Sequence, residues 1–495
     1  MSRSLPERPN LDHLKHEAKA LHKTLRTQNP DTKLSDAQRQ LARDYGFPTW
    51  AKLRAHVQHV NASDDGVGAF LRAIQKEDRD TAQQIAARNP RLVATSLHVA
   101  AALGEVDVVR QLSRDPAKVD EKAGDPPATP LLFLCYSPFN GQNESRDAGL
   151  FESARTLLAA GADPNAVDGR FGVPALLGVT GMHHRPGIAR LLLEAGAHPT
   201  DGESVFHAAE RFHEDALILL REFGVQLNHV GEWGNTPLYF LLRWYEIGKD
   251  ERVARGFDWL LTNGADPNVA CGKEQENSLH VAVRRGQSAR VVQSLLDHGA
   301  NVDLRRGDGA TAWLLARRAG YDALVQLLER AGAKPEALSM TDELLAACGR
   351  GDVEAARQLS SPALVASLTP ADQLMVNEAA AAGRTSVVVA CIAAGFDLDR
   401  VNDRGSTALH EAAINGYADI VRALLAAGAK YDIKDPHHHS TPMGWATFGA
   451  DFEKERAGDY PGCVRALRAA GLEPRDDEYV PTDPATLVAL REPLR

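Results

Sequence analysis

Cysteine is scarce and scattered in this 495-residue sequence: Cys135, Cys271, Cys348, Cys391 and Cys463 are odd in number and never form a C-x-x-C pair. That pattern excludes a disulfide framework and a zinc ribbon. Long apolar runs are also missing, since none reaches the roughly 18 residues that cross a bilayer. The opening MSRSLPERPN has no apolar segment of the signal-peptide kind, so a cytoplasmic chain is expected. Strings that carry catalysis are lacking too. No G-x-x-x-x-G-K-[ST] or H-E-x-x-H occurs, and Gly66-Val67-Gly68 lacks a third glycine and a preceding strand. No enzyme, no cofactor and no metal is expected. Aromatic residues make up only 6% against 44% hydrophobic overall, which suits closely packed helices rich in Ala and Leu.

What is present is a repeat. Glycine recurs at 161, 196, 224, 264, 299, 332, 395, 428 and 471, most regularly 33 to 35 residues apart. A period of this size means stacked units that bury apolar surface against their neighbours. In Thr236-Pro237-Leu238-Tyr239 the Thr can cap a helix and the Pro suits its first turn. Ala412 and Ala413 permit close packing of a first helix, Gly416 a tight reversal, and Val421, Leu424 and Leu425 an apolar stripe on a second. Gly428 then ends it.

These elements resemble the ankyrin repeat. Its T-P-L-H-x-A-A signature stands as Thr407-Ala408-Leu409-His410-Glu411-Ala412-Ala413, and its L-L-x-x-G-A-D-x-N element as Leu260 to Asn268. The resemblance covers about Asp64 to Pro474 and implies an all-α solenoid of about twelve helix pairs with short hairpin fingers. It also implies that His98, His207, His280 and His410 bond to neighbouring backbone.

Departures from the pattern subdivide the chain. Gly196 to His207 takes 11 residues where 15 or 16 are usual, so one finger should be stunted. Insertions at 137–147, 245–252 and 449–459 map to surface loops, which often border a binding surface. Phe70-Leu71-Arg72-Ala73 and Asn89 to Ala94 are echoed by Leu344-Leu345-Ala346-Ala347 and Ser361 to Ala366, which suggests two arrays, 64–338 and 339–475, with a hinge near 333–340. The acidic, proline-bearing tail 476–495 reads as an extended cap or a disordered end.

Residues 1–60 differ. Leu11, Leu14, Ala18, Leu21 and Leu25 keep helical spacing, Ser35-Asp36-Ala37-Gln38 reads as a capping box, and Pro48-Thr49-Trp50 starts a third helix. LDHLKHEAKALH, SDAQRQLARDYGF and PTWAKLRAHV resemble a short helical module that precedes ankyrin arrays in uncharacterised bacterial proteins. The module holds 11 Lys/Arg against 6 Asp/Glu, a net +5, while the whole chain is −10, which leaves −15 elsewhere. His13 and His16 share a helix with Lys15, Lys19, Lys23 and Arg26; with Arg39, Arg43, Lys52 and Arg54 they make a basic face suited to nucleic-acid phosphate, to solvent or to the acidic array.

His437-His438-His439 is the densest histidine run, but neighbouring side chains diverge and no carboxylate or cysteine stands at ligand spacing, so a turn is the better reading. By resemblance, ligand choice lies on the fingers and on the exposed face of the first helices. That projection selects Arg170, Phe171, Met182, Trp233, Arg243, Trp244, Arg305, Arg306, Asn402, Arg404 and His438 as partner-binding residues, with Trp and Arg suited to interface hot spots. Trp259 and Trp313 fall where helices pack. A non-enzymatic scaffold for a protein partner is the leading expectation; a nucleic-acid-associated regulator acting through residues 1–60 is the alternative.

Overall fold

The computed structural model describes residues 11–28, 32–139, 141–169, 172–452, 458–474 and 479–492. The chain separates into two compact units, residues 1–241 with 248–265, and residues 242–247 with 266–495. No strand forms among the described residues.

The first unit opens with helices Leu11–Gln28, Leu34–Asp44 and Trp50–Gln75. Leu14, Ala42 and Leu53 pack together against Tyr45, Phe47 and Trp50, and the Tyr45 hydroxyl donates to Glu17. The cap of the second helix lies two residues earlier than expected: Lys33 is the N-cap, and the short Asp36 side chain reaches back to accept from its backbone N–H at 3.0 Å. The third helix continues through 60–64 into the first repeat.

Helix pairs follow, beginning with Leu97–Leu103 and Val106–Leu112, then Pro130–Cys135 and Glu144–Ala159. Ala100, Ala101 and Ala102 are fully buried, because a methyl side chain lets neighbouring helices touch. The next first helix ends in a π-turn, Gly178–Met182. A Cβ on Gly178 would lie 2.8 Å from the Cys135 carbonyl oxygen, and one on Gly181 would lie 2.7 Å from Cβ of His207. Only glycine permits that approach on both sides.

Fingers in this unit close with bridges Ala123↔Ala128 and Val167↔Pro174. The short connection before His207 does otherwise. There Asp201 accepts from the backbone of Glu203 and Ser204 and from the Ser204 hydroxyl, so one carboxylate replaces a hairpin.

In the second unit the first helices are Ser278–Arg284, Ala312–Arg318, Met340–Arg350, Met375–Ala381, Ala408–Ile414 and Pro442–Phe452. Thr407 caps its helix by accepting from the His410 N–H, with His410 Nδ1 set against the Thr407 hydroxyl at 2.9 Å. Buried Leu344, Ala380, Val388, Leu409, Val421 and Leu467 belong to one continuous core. The tail forms helix Pro484–Arg491, which packs on Tyr460–Ala469 while Arg468 donates to the carbonyls of Ala489 and Glu492. Across 333–340, Arg318 pairs with Asp342, and Arg384 donates to the carbonyls of Ala319 and Gly349.

Candidate interaction surface

Three of the four repeat histidines bond to backbone. His98 Nε2 lies 2.7 Å from the Glu121 carbonyl, His280 Nε2 3.0 Å from Leu304 and His410 Nε2 3.3 Å from Ser440. Burial holds all three below the usual imidazole range, which keeps them neutral at pH 7. His207 departs from this expectation. Its two ring nitrogens face carboxylates on its own helix and cap, Glu210 at 2.6 Å and Glu203 at 3.4 Å. Burial opposes the charged ring, but the two carboxylates win and raise it to about 9.

Of the expected surface residues, Arg170 and Phe171 lie outside the described residues. Met182 is half-buried at the end of the π-turn. Trp233 is 69% exposed, and its indole N–H donates to Glu203 at 2.7 Å. His438 is exposed on a turn that Asp435 organises by accepting from the backbone of His437, His438 and Ser440. No group of three or more metal-ligating side chains gathers among the described residues.

Arg243, Trp244, Asn402 and Arg404 come together in the second unit although about 160 residues separate them along the chain. The Arg243 guanidinium sits 5.3 Å from the Trp244 ring centre and Arg404 sits 5.8 Å from the same ring. Arg243 pairs with Asp403 at 2.9 Å, while Asn402 donates to Glu411 at 3.0 Å and accepts from Ser406. Trp244 stays 45% exposed, so an aromatic face framed by two cations borders solvent.

Arg305 is exposed and pairs with Glu336 at 3.2 Å. Its neighbour is a correction: Arg306 is only 6% exposed and belongs to the interior. Its guanidinium is held by Asp308 at 2.6 Å and by Glu276 at 2.9 Å. Glu276 also accepts from Arg284, and these two cations pull it down to about 2 against the opposing cost of burial. A side chain so committed offers nothing to a partner. Of the two expected core tryptophans, Trp313 is buried with its N–H on Glu329, whereas Trp259 is half-buried.

On the N-terminal helices Lys15, Lys19, Lys23, Arg26, Arg39, Arg43, Lys52 and Arg54 are all exposed. The side chains of His13 and His16 lie outside those described. All five cysteines are buried and free, and burial pushes Cys463 up to about 12. No helix among the described residues is long and apolar enough to cross a membrane.

Sequence reading missed Asp201 and Glu203, although the short connection from Gly196 to His207 marked their position. It also missed Glu276, whose cations lie 8 and 30 residues away, and Glu378 and Asp403, whose partners lie in distant repeats.

Comparison with known proteins supplies the class. The family model described as ankyrin repeats (3 copies) matches two stretches, residues 251–338 and 344–448. Among curated relatives, ankyrin repeat and SOCS box protein 16 of Homo sapiens is 30% identical over 262 residues, 52% of this chain and 44% of that protein. SH3 and multiple ankyrin repeat domains protein 2 of Homo sapiens is 27% identical over 206 residues, 41% of this chain and 11% of that protein. E3 ubiquitin-protein ligase KEG of Arabidopsis thaliana is 24% identical over 286 residues, 48% of this chain and 17% of that protein. The chain therefore spans less than half the length of each of these relatives. The solved human ASB11 ankyrin repeat domain is 26% identical, with a TM-score of 0.36, covering 48% of this chain and 99% of that one. Residues 251–338 and 344–448 thus match ankyrin repeats, a fold that generally mediates protein–protein interaction.

Proposed function

We propose that the protein is a non-enzymatic scaffold whose fingers and first-helix face hold a protein partner. The observation that carries this reading is Trp244: a large aromatic, partly exposed, framed by Arg243 and Arg404 and reached by the finger that bears Asn402. Preformed aromatic and guanidinium anchors bind without a large ordering cost, since their partners inside the protein already fix them. Salt bridges to Asp403 and Glu411 hold the two arginines in place. Within the same unit Arg305 and His438 belong to the proposed set; in the first unit, taken by itself, Trp233 and Met182 do.

The test is a photo-cross-linking amino acid placed at 244 in the full chain, with the same label at exposed Ile218 as control. A protein captured from 244 and not from 218, and lost when Arg404→Ala is added, supports the reading. Capture of the same proteins from both positions would count against it.

A further inference from the structure

The finger turn at Trp233 carries a second kind of surface. Its backbone closes through Gly234 N–H to the Gly231 carbonyl at 2.9 Å and Gly231 N–H to the Asn235 carbonyl at 3.1 Å. The indole N–H is already bound to Glu203, so the one polar atom of the ring is satisfied and its orientation is set. An aromatic face fixed in this way and 69% exposed is a platform rather than a stray hydrophobe.

Charge of one sign gathers beside it. Asp201, Glu203 and Glu210 lie on or next to the helix that starts at Ser204, and Glu232 adjoins Trp233 in sequence. The cation held among them is the imidazole of His207. Titrating groups nearby report the same sign. Asp201 is raised, first by burial and also by Glu203; Tyr136 is pushed up by burial, with Asp201, Asp168 and Glu203 adding to it.

The turn also encloses an unmet acceptor, which lies beneath the surface and not on it. Asn235 is 8% exposed, and its Oδ1 has no donor among the described residues. A buried acceptor without a donor costs free energy until one arrives.

We infer that Trp233 and Glu203, with Glu232 beside them, form a receptor for one cationic side chain, Arg or Lys, in a basic peptide segment of the partner, an inference that rests on the scaffold reading. Guanidinium or ammonium stacks on the indole face and is drawn by the Glu203 and Glu232 carboxylates beside it. Phosphate-bearing ligands are repelled from the same surface.

The probe is an array of immobilised dodecapeptides whose fixed central residue is Arg, Lys, citrulline, norleucine or Glu, with varied flanks, incubated with the full chain. Arg and Lys peptides are expected to be retained about tenfold over citrulline and norleucine. That preference is lost in Trp233→Ala and Glu203→Gln, largely kept in Trp233→Phe, and unchanged in Ile218→Ala at an exposed position outside the proposed surfaces, with thermal melts confirming that each variant is folded. Equal retention of Arg and citrulline peptides, or a preference that survives Trp233→Ala, overturns the cation receptor. If peptides still bind and only Trp244→Ala releases them, the scaffold reading stands without this site; binding by no peptide at all removes both.

Discussion

Arg318 and Asp342 meet at 2.7 Å across residues 333–340, where repetition in the sequence suggests a hinge. Both side chains are largely withdrawn from solvent, and Asp342 additionally accepts from Ser339. Arg318→Met removes the cation shared by Asp342 and Asp372 and leaves a shielded carboxylate unpaired. A loss of about 3 kcal/mol is expected in urea unfolding. Amide exchange should quicken in helix 340–350 if this pair restrains the segment, and unchanged exchange would show that it does not.

Glu276 sets an acid limit. Its folded-state value of about 2 lies below the ordinary 4.5, so its stabilisation is present above pH 4.5 and is lost as pH falls toward 2. Glu276→Gln removes the carboxylate shared by Arg284 and Arg306, which keep only Glu378 and Asp308, and should cost about 3 kcal/mol at pH 7. Thermal melts between pH 3 and 7 should then show a shallower acid decline than in the parent protein.

His207 acts in the opposite direction. Its value of about 9 exceeds the ordinary 6.5, so its contribution is complete below pH 6.5 and disappears as pH rises through 9. The shift sets an upper bound of about 3 kcal/mol, reduced by solvent screening at this partly exposed site. Glu210→Gln should flatten the melting temperature between pH 7 and 9.5. A parent protein whose stability is constant over that range would contradict the assignment.

Gly256 lies in helix Glu251–Thr262, where alanine would ordinarily add about 0.5 to 1 kcal/mol. Here a Cβ would fall 1.8 Å from the Ala209 carbonyl oxygen. Gly256→Ala is therefore expected to destabilise the first unit by about 2 to 3 kcal/mol, measured by denaturant midpoint, because the contact is with backbone that cannot rotate away.

Local signals explain how much of this architecture could be read from sequence. Thr407, His410 and Gly428 report their roles because capping, backbone bonding and helix termination each depend on a residue and its near neighbours. His207 shares the repeat position yet behaves differently, since Glu203 and Glu210 compete for its nitrogens. Arg305 and Arg306 are adjacent and equally basic; only the three-dimensional placement of Glu276 separates an exposed cation from a buried one. Trp244 was legible as a surface aromatic, but its flanking by Arg404 was not, because no periodic pattern encodes contact between distant repeats.

The ion pair between Arg243 and Asp403 has a consequence for how the second unit unfolds. A linear array is commonly treated as a chain of elements coupled only to their immediate neighbours, so that ends fray independently and energies add. Contacts from 243 to 403 and from 284 to 378 add terms between elements that are not adjacent. Melting one repeat then weakens another several positions away, and the effects of substitutions at the two ends should fail to sum.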